Sequence, residues 1–161
     1  MTGNEPKNLR ERKSPTAIKS GGRLFTCGRP GRGLLGPKGS PVDDSVVDLW
    51  VQGLPQRDLV VIVSLLGTKP NGNSEFKYYS FRSSTEPGER PTFQEWLDKH
   101  YAQRFIVHEF PTVDFSGIPP DVLGAASECI LDSIAKGHTV VLIDSAGAER
   151  TSRVCEAISY T

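Results

Sequence analysis

The stretch Asp144-Ser145-Ala146-Gly147-Ala148-Glu149-Arg150-Thr151 concentrates charged and hydroxyl side chains in a short run of otherwise small residues. It follows the apolar, β-branched run His138 to Ile143 and precedes a segment of helical character. A strand that enters a tight loop and then a helix N-terminus makes an anion cradle. Successive backbone N–H groups turn into the loop, and the helix dipole adds partial positive charge. Ser145, Ala146, Gly147, Ala148, Glu149 and Arg150 form the candidate phosphate-binding set. Arg150 suits such a cradle, because its planar guanidinium can hold two phosphate oxygens at once.

This loop resembles the phosphate-binding loop of the protein-tyrosine and dual-specificity phosphatases. There a cysteine is followed by five residues, an arginine, and a serine or threonine. Arg150 and Thr151 match, and Gly147 sits where the family often has glycine. Asp144 stands where the family has its nucleophilic cysteine, and Ile143 where it often has histidine. The resemblance implies that Arg150 binds phosphoryl oxygens and that Thr151 hydrogen-bonds the departing nucleophile. It implies a general-acid role for Asp114, in Pro111-Thr112-Val113-Asp114, ahead of Ile118-Pro119 and the helix that leads to the catalytic strand. Gly28-Arg29-Pro30 resembles the Gly-x-Pro turn near the start of such domains. The resemblance covers roughly Arg23 to Tyr160; the family usually continues through further helices, so against it the chain reads as shortened after Thr161.

The residue at position 144 decides the expected chemistry. Cysteine-type catalysis needs a thiolate, whose pKa the loop amides and helix N-terminus depress, and a separate acid for the leaving oxygen. A carboxylate is a weaker nucleophile toward a phosphate ester. It also brings negative charge to where a dianion binds; like charges ~4 Å apart in a partly desolvated site cost on the order of several kcal/mol. Asp144 can instead satisfy the cradle itself, accepting loop N–H bonds or pairing with Arg150, and Glu149 adds a second carboxylate nearby. The expectation is a phosphatase-like protein with little or no turnover, a pseudophosphatase. A phosphorylated substrate or anion meets the loop, there is room for a protein partner, and no metal or cofactor is implied.

Other readings start from the same residues. An active phosphomonoesterase using Asp144 as phosphoryl acceptor calls for Mg²⁺ and further carboxylates, and no such motif is present. Asp144 to Arg150 also looks like the Asp-x-x-Gly switch of small GTPases. No valid P-loop lies upstream, because Pro37 intervenes between Gly36 and Lys38, and no Asn-Lys-x-Asp motif follows. The remaining alternative is a non-catalytic α/β binding domain.

The elements that must carry this loop alternate. Arg23 to Cys27 reads as a short edge strand, and Pro41 to Gln52 as an amphipathic helix. Leu59 to Leu66 is apolar on both faces, as in a central parallel strand. Glu75 to Phe81 reads as a strand after the turn-forming Pro70-Asn71-Gly72-Asn73. Pro91 to Tyr101 reads as a helix with a Thr92/Glu95 capping box, and Phe105 to Phe110 as a strand. Asp121 to Lys136 is a helix with Val122, Ala126, Ile130 and Ile134 on one stripe, stopped by Gly137. His138 to Asp144 is the last strand and Thr151 to Tyr160 the last helix. His100 and His138 read as structural. The pattern predicts an α/β fold, a mostly parallel central sheet flanked by helices, with the loop between the last strand and last helix at its carboxyl end. Residues 1–20 read as a disordered polar tail and 21–161 as a single domain.

Composition narrows the partners. The 161 residues carry 19 basic and 19 acidic side chains, so no global basic field points to nucleic acid or membrane surfaces. No apolar run approaches the ~18 residues of a membrane span. The polar N-terminus lacks a signal-peptide core. Three scattered cysteines without metal spacing suggest reduced thiols and a cytoplasmic setting.

Overall fold

A computed structural model describes residues 6–13, 21–32, 44–57, 59–68, 70 and 92–158. The strand expected over Glu75 to Phe81, residues 33–40 of the glycine-rich stretch before Pro41, and the tail residues 1–5 and 14–20 lie outside them. The described elements are β1 (Arg10–Arg12), β2 (Arg23–Gly28), α1 (Asp44–Gln52), β3 (Val60–Ser64), α2 (Phe93–Tyr101), β4 (Phe105–Glu109), α3 (Pro120–Ala135), β5 (Thr139–Asp144) and α4 (Glu149–Ala157). The strands form one five-stranded sheet in the order β1-β2-β5-β3-β4. β2, β5, β3 and β4 run parallel, and β1 pairs antiparallel to β2.

The fold is α/β with helices on both faces, and the apolar runs explain why. In β5, Val141 and Ile143 enter one core and Val140 and Leu142 the other. β3 divides likewise, with Val60 and Ile62 on one face and Val61 and Val63 on the opposite one. The first core packs under α1 and α2 through Val47, Trp50, Phe93, Trp96 and Leu97; the second packs under α3 and α4 through Ala126, Ile130, Ile134, Val154 and Cys155. A strand covered on both faces must be apolar at every position, because side chains alternate between the two layers.

Local signals act as expected at the helix ends. Thr92 Oγ1 accepts from Glu95 N–H at 3.1 Å and Glu95 returns the bond to Thr92 N–H at 3.0 Å. Gly137 takes a left-handed φ of 82° after α3. Val122, expected on the buried stripe of α3, is half-buried, and Ser133 takes a buried position, its hydroxyl donating to Cys129 C=O.

Two expectations are corrected. The N-terminal stretch is not tail throughout: residues 6–13 are part of the fold, and Arg10, Glu11 and Arg12 pair with Thr26, Phe25 and Leu24. As a result β2 is an inner strand rather than an edge. Arg12, although charged, is 7% exposed; its Nε donates to Thr26 Oγ1 at 2.8 Å and its Nη2 to Ser152 Oγ on α4 at 3.2 Å.

Candidate functional site

β5 lies between β2 and β3, and the candidate loop leaves its carboxyl end. Asp144 closes the strand, Ser145 to Ala148 make the loop, and Glu149, Arg150 and Thr151 form the first turn of α4. The loop is stitched to the end of β2: Arg29 N–H donates to Ser145 C=O at 3.3 Å, and Gly28 and Ala146 form an isolated antiparallel bridge. Gly147 sits at φ 74°, and a Cβ there would collide with the backbone of Cys27 and Gly28. Glycine is required on both counts.

Asp144 folds back into the loop it begins. Its carboxylate is 2% exposed; one oxygen accepts Gly147 N–H, and the other accepts Thr151 N–H at 3.0 Å. The residue at the formal N-cap, Ala148, has no side-chain cap. Asp144 therefore supplies the missing cap of α4 from four residues upstream, with its charge against the positive end of the helix dipole. The Thr151 hydroxyl donates to Ala148 C=O at 3.2 Å, so it is the Thr151 amide that engages position 144.

Arg150 is 5% exposed and points across the sheet end rather than into open solvent. Its Nη1 donates to Thr112 Oγ1 at 2.8 Å and to Leu65 C=O at 3.3 Å, and its Nη2 lies 3.3 Å from Asp114 Oδ1. The loops after β3 and β4 bring these acceptors together. Thr68 N–H donates to Thr112 C=O, Asp114 N–H donates to Thr68 C=O, and Thr112 Oγ1 donates to Leu65 C=O at 2.6 Å. Asp114 and the loop thus lie together, with Asp114 engaged in a mostly buried ion pair to Arg150.

A cavity of ≈ 210 Å³ opens here, bounded by Asp114 and Phe115 and by Ser145, Arg150, Arg32 and Arg153. Phe115 is 77% exposed at a left-handed φ of 64°, an uncommon conformation for a bulky residue. The walls carry three arginines, Arg32, Arg150 and Arg153, against three carboxylates, Asp114, Asp144 and Glu149. Arg153 and Glu149 face each other at 3.7 Å, and Arg32 Nη1 donates to Ser145 Oγ at 3.2 Å. The site is balanced in charge by its own side chains, so an entering dianion competes with carboxylates already in position.

None of the three cysteines lines the cavity. Cys27 is fully buried on β2, and burial, followed by the nearby Asp144 charge, pushes its thiol well above the usual range. A thiol so held is inert. Among the described residues, no group of three or more His, Cys, Asp or Glu side chains is arranged to hold a metal ion, and no helix is long and apolar enough to cross a membrane.

Sequence reasoning missed Thr112, Arg32 and Phe115. Thr112 carried a usable signal: it lies two residues before Asp114, so in extended backbone both side chains share a side. Arg32 and Phe115 carried none, since their approach depends on loop conformation. No family model, curated protein or solved structure matches the chain.

Proposed function

We propose that this chain is a phosphatase-like protein whose phosphate loop is closed by its own carboxylate, and that it acts as a non-catalytic binding domain of the pseudophosphatase type. The observation that carries this reading is the double anchorage of Asp144 on Gly147 N–H and Thr151 N–H. Those are amides that would otherwise be offered to a phosphoryl oxygen. Arg150, the phosphate ligand by resemblance, is engaged with Asp114 and Thr112. Proton donation from Asp114 would have to compete with that ion pair. The strand–loop–helix order, the glycine at a left-handed φ and the cavity against Asp114 support a loop descended from a phosphate cradle. The ligand class is a phosphorylated or otherwise anionic group, presented by a protein partner. Three free cysteines are compatible with a reducing, cytoplasmic setting.

The test is turnover of a small aryl phosphate ester. The natural chain is expected to show none. Asp144→Cys is expected to create turnover, and adding Arg150→Ala to remove it. If Asp144→Cys neither turns over nor binds vanadate, the proposal fails. Turnover by the natural chain would instead favour an active enzyme using Asp144.

A further inference from the structure

The peptide unit between Ala146 and Gly147 is held at both ends. Its N–H points inward to the Asp144 carboxylate. Its carbonyl points the other way, and there Asn8 Nδ2 donates to Ala146 C=O at 2.7 Å. A trans peptide plane carries its N–H and C=O in opposite directions. Fixing the carbonyl from outside therefore fixes the direction in which the N–H looks. The acceptor settles the orientation of the Asn8 amide too, since only its NH₂ can serve a carbonyl.

Asn8 is delivered by a turn built for it. Leu9 N–H donates to Pro6 C=O at 3.1 Å, which closes a Pro6-Lys7-Asn8-Leu9 turn. Asn8, third in that turn, takes a φ of 58°. That position demands a left-handed residue, and asparagine tolerates it better than most. The turn is fastened on both sides. Lys7 C=O accepts Gly28 N–H at 2.7 Å, beside the loop, and Arg12 farther along β1 reaches Ser152 on α4. The N-terminal segment thus grips the loop and the helix that follows it.

We infer that Asn8 is a positioning residue of the loop: it aims the Gly147 N–H into the cradle by holding the Ala146 carbonyl, which makes residues 6–13 a latch on the site. The latch rests on the phosphatase-like reading only for the meaning of the cradle; the geometry of the peptide stands without it. Whatever lifts the N-terminal segment frees this peptide to rotate, and a ligand that needs the inward N–H tightens the segment in return.

Two substitutions in the full chain separate the donor from the turn. Asn8→Gly keeps the left-handed φ and removes the side chain. Asn8→Asp keeps shape and φ but replaces the donor with a carboxylate facing a carbonyl. Amide hydrogen exchange read by NMR is expected to show Gly147 exchanging about tenfold faster in both, while Val61 and Val141 in the sheet stay within about twofold. An unchanged Gly147 rate, or an equal rise at all three amides, overturns the inference. A second arm uses Asp144→Ala, in which the cradle is open, and titrates inorganic phosphate. Adding Asn8→Asp is expected to weaken binding about tenfold; equal binding with and without it overturns the inference. Failure of Asp144→Ala to bind phosphate at all counts against the phosphatase-like reading, and the exchange arm then decides the latch by itself.

Discussion

At Asp144 a single carboxylate caps α4 and places a negative charge at the helix N-terminus. Each oxygen has one backbone donor, and the group is 2% exposed, so its hydrogen bonds are not exchanged with water in the folded state. Asp144→Asn keeps the shape and volume. Its NH₂ group must then face one of the two N–H donors, which leaves a buried donor unmatched and removes the charge from the helix terminus. A loss of about 2–3 kcal/mol in unfolding free energy is expected, read as a lowered urea midpoint at unchanged slope. Arg150 shows the complementary logic. A buried guanidinium is tolerated because Thr112, Leu65 and Asp114 surround it with acceptors.

At the scale of elements, β1 is the least self-evident piece of the fold and the one on which the loop leans. Arg23 Nε donates to Glu11 Oε2 at 2.9 Å and Nη2 to Oε1 at 2.6 Å, a bidentate link from β2 to β1. The hydrogen bond to Arg23 is the main reason the Glu11 carboxyl titrates below its usual range. A folded-state pKa that is lowered means stability present above the unfolded carboxylate pKa and lost as pH falls through the folded value. Acid below about pH 4 is therefore expected to loosen β1 first, seen as early chemical-shift changes at Arg10 to Arg12; Glu11→Gln should remove that early step. The strand escaped sequence reading for a physical reason. Arg10-Glu11-Arg12 has no apolar alternation, and what buries Arg12 is a pair of hydroxyls, Thr26 and Ser152, far away in the chain. By contrast β3 and β5 were legible because burial on both faces demands unbroken apolar runs, and α2 because Thr92 and Glu95 form its cap in adjacent sequence. The Asp144 cap was half legible: its availability to loop amides follows from residue type and place, whereas the ion pair of Arg150 with Asp114 depends on two loops closing on each other.

Over the whole molecule, the two cores each hold a thiol out of water. Cys27 lies under α1 and α2, and Cys155, on α4, points into the core that α3 and α4 cover. Burial raises both, and raises Cys129 as well. A raised folded-state pKa contributes stability that is complete below the unfolded thiol pKa of about 8.5 and is lost as pH climbs above it. Unfolding free energy should therefore fall from pH 8 to pH 10. For fully buried Cys27 the share approaches about 1.4 kcal/mol per pH unit only toward pH 10, and Cys27→Ala should flatten the slope in urea titrations most at that upper end. The outer side of the sheet carries a consequence of another kind. On β4, Gln94 of α2 donates to Phe105 C=O at 2.8 Å and accepts Val107 N–H at 2.6 Å. One side-chain amide thus stands in for a residue of a neighbouring strand. Among the described strands β4 is the outermost on its side, and any other chain seeking to extend the sheet at that point must first displace Gln94, so α2, besides covering the core, guards this strand against the strand-by-strand addition by which exposed sheets aggregate.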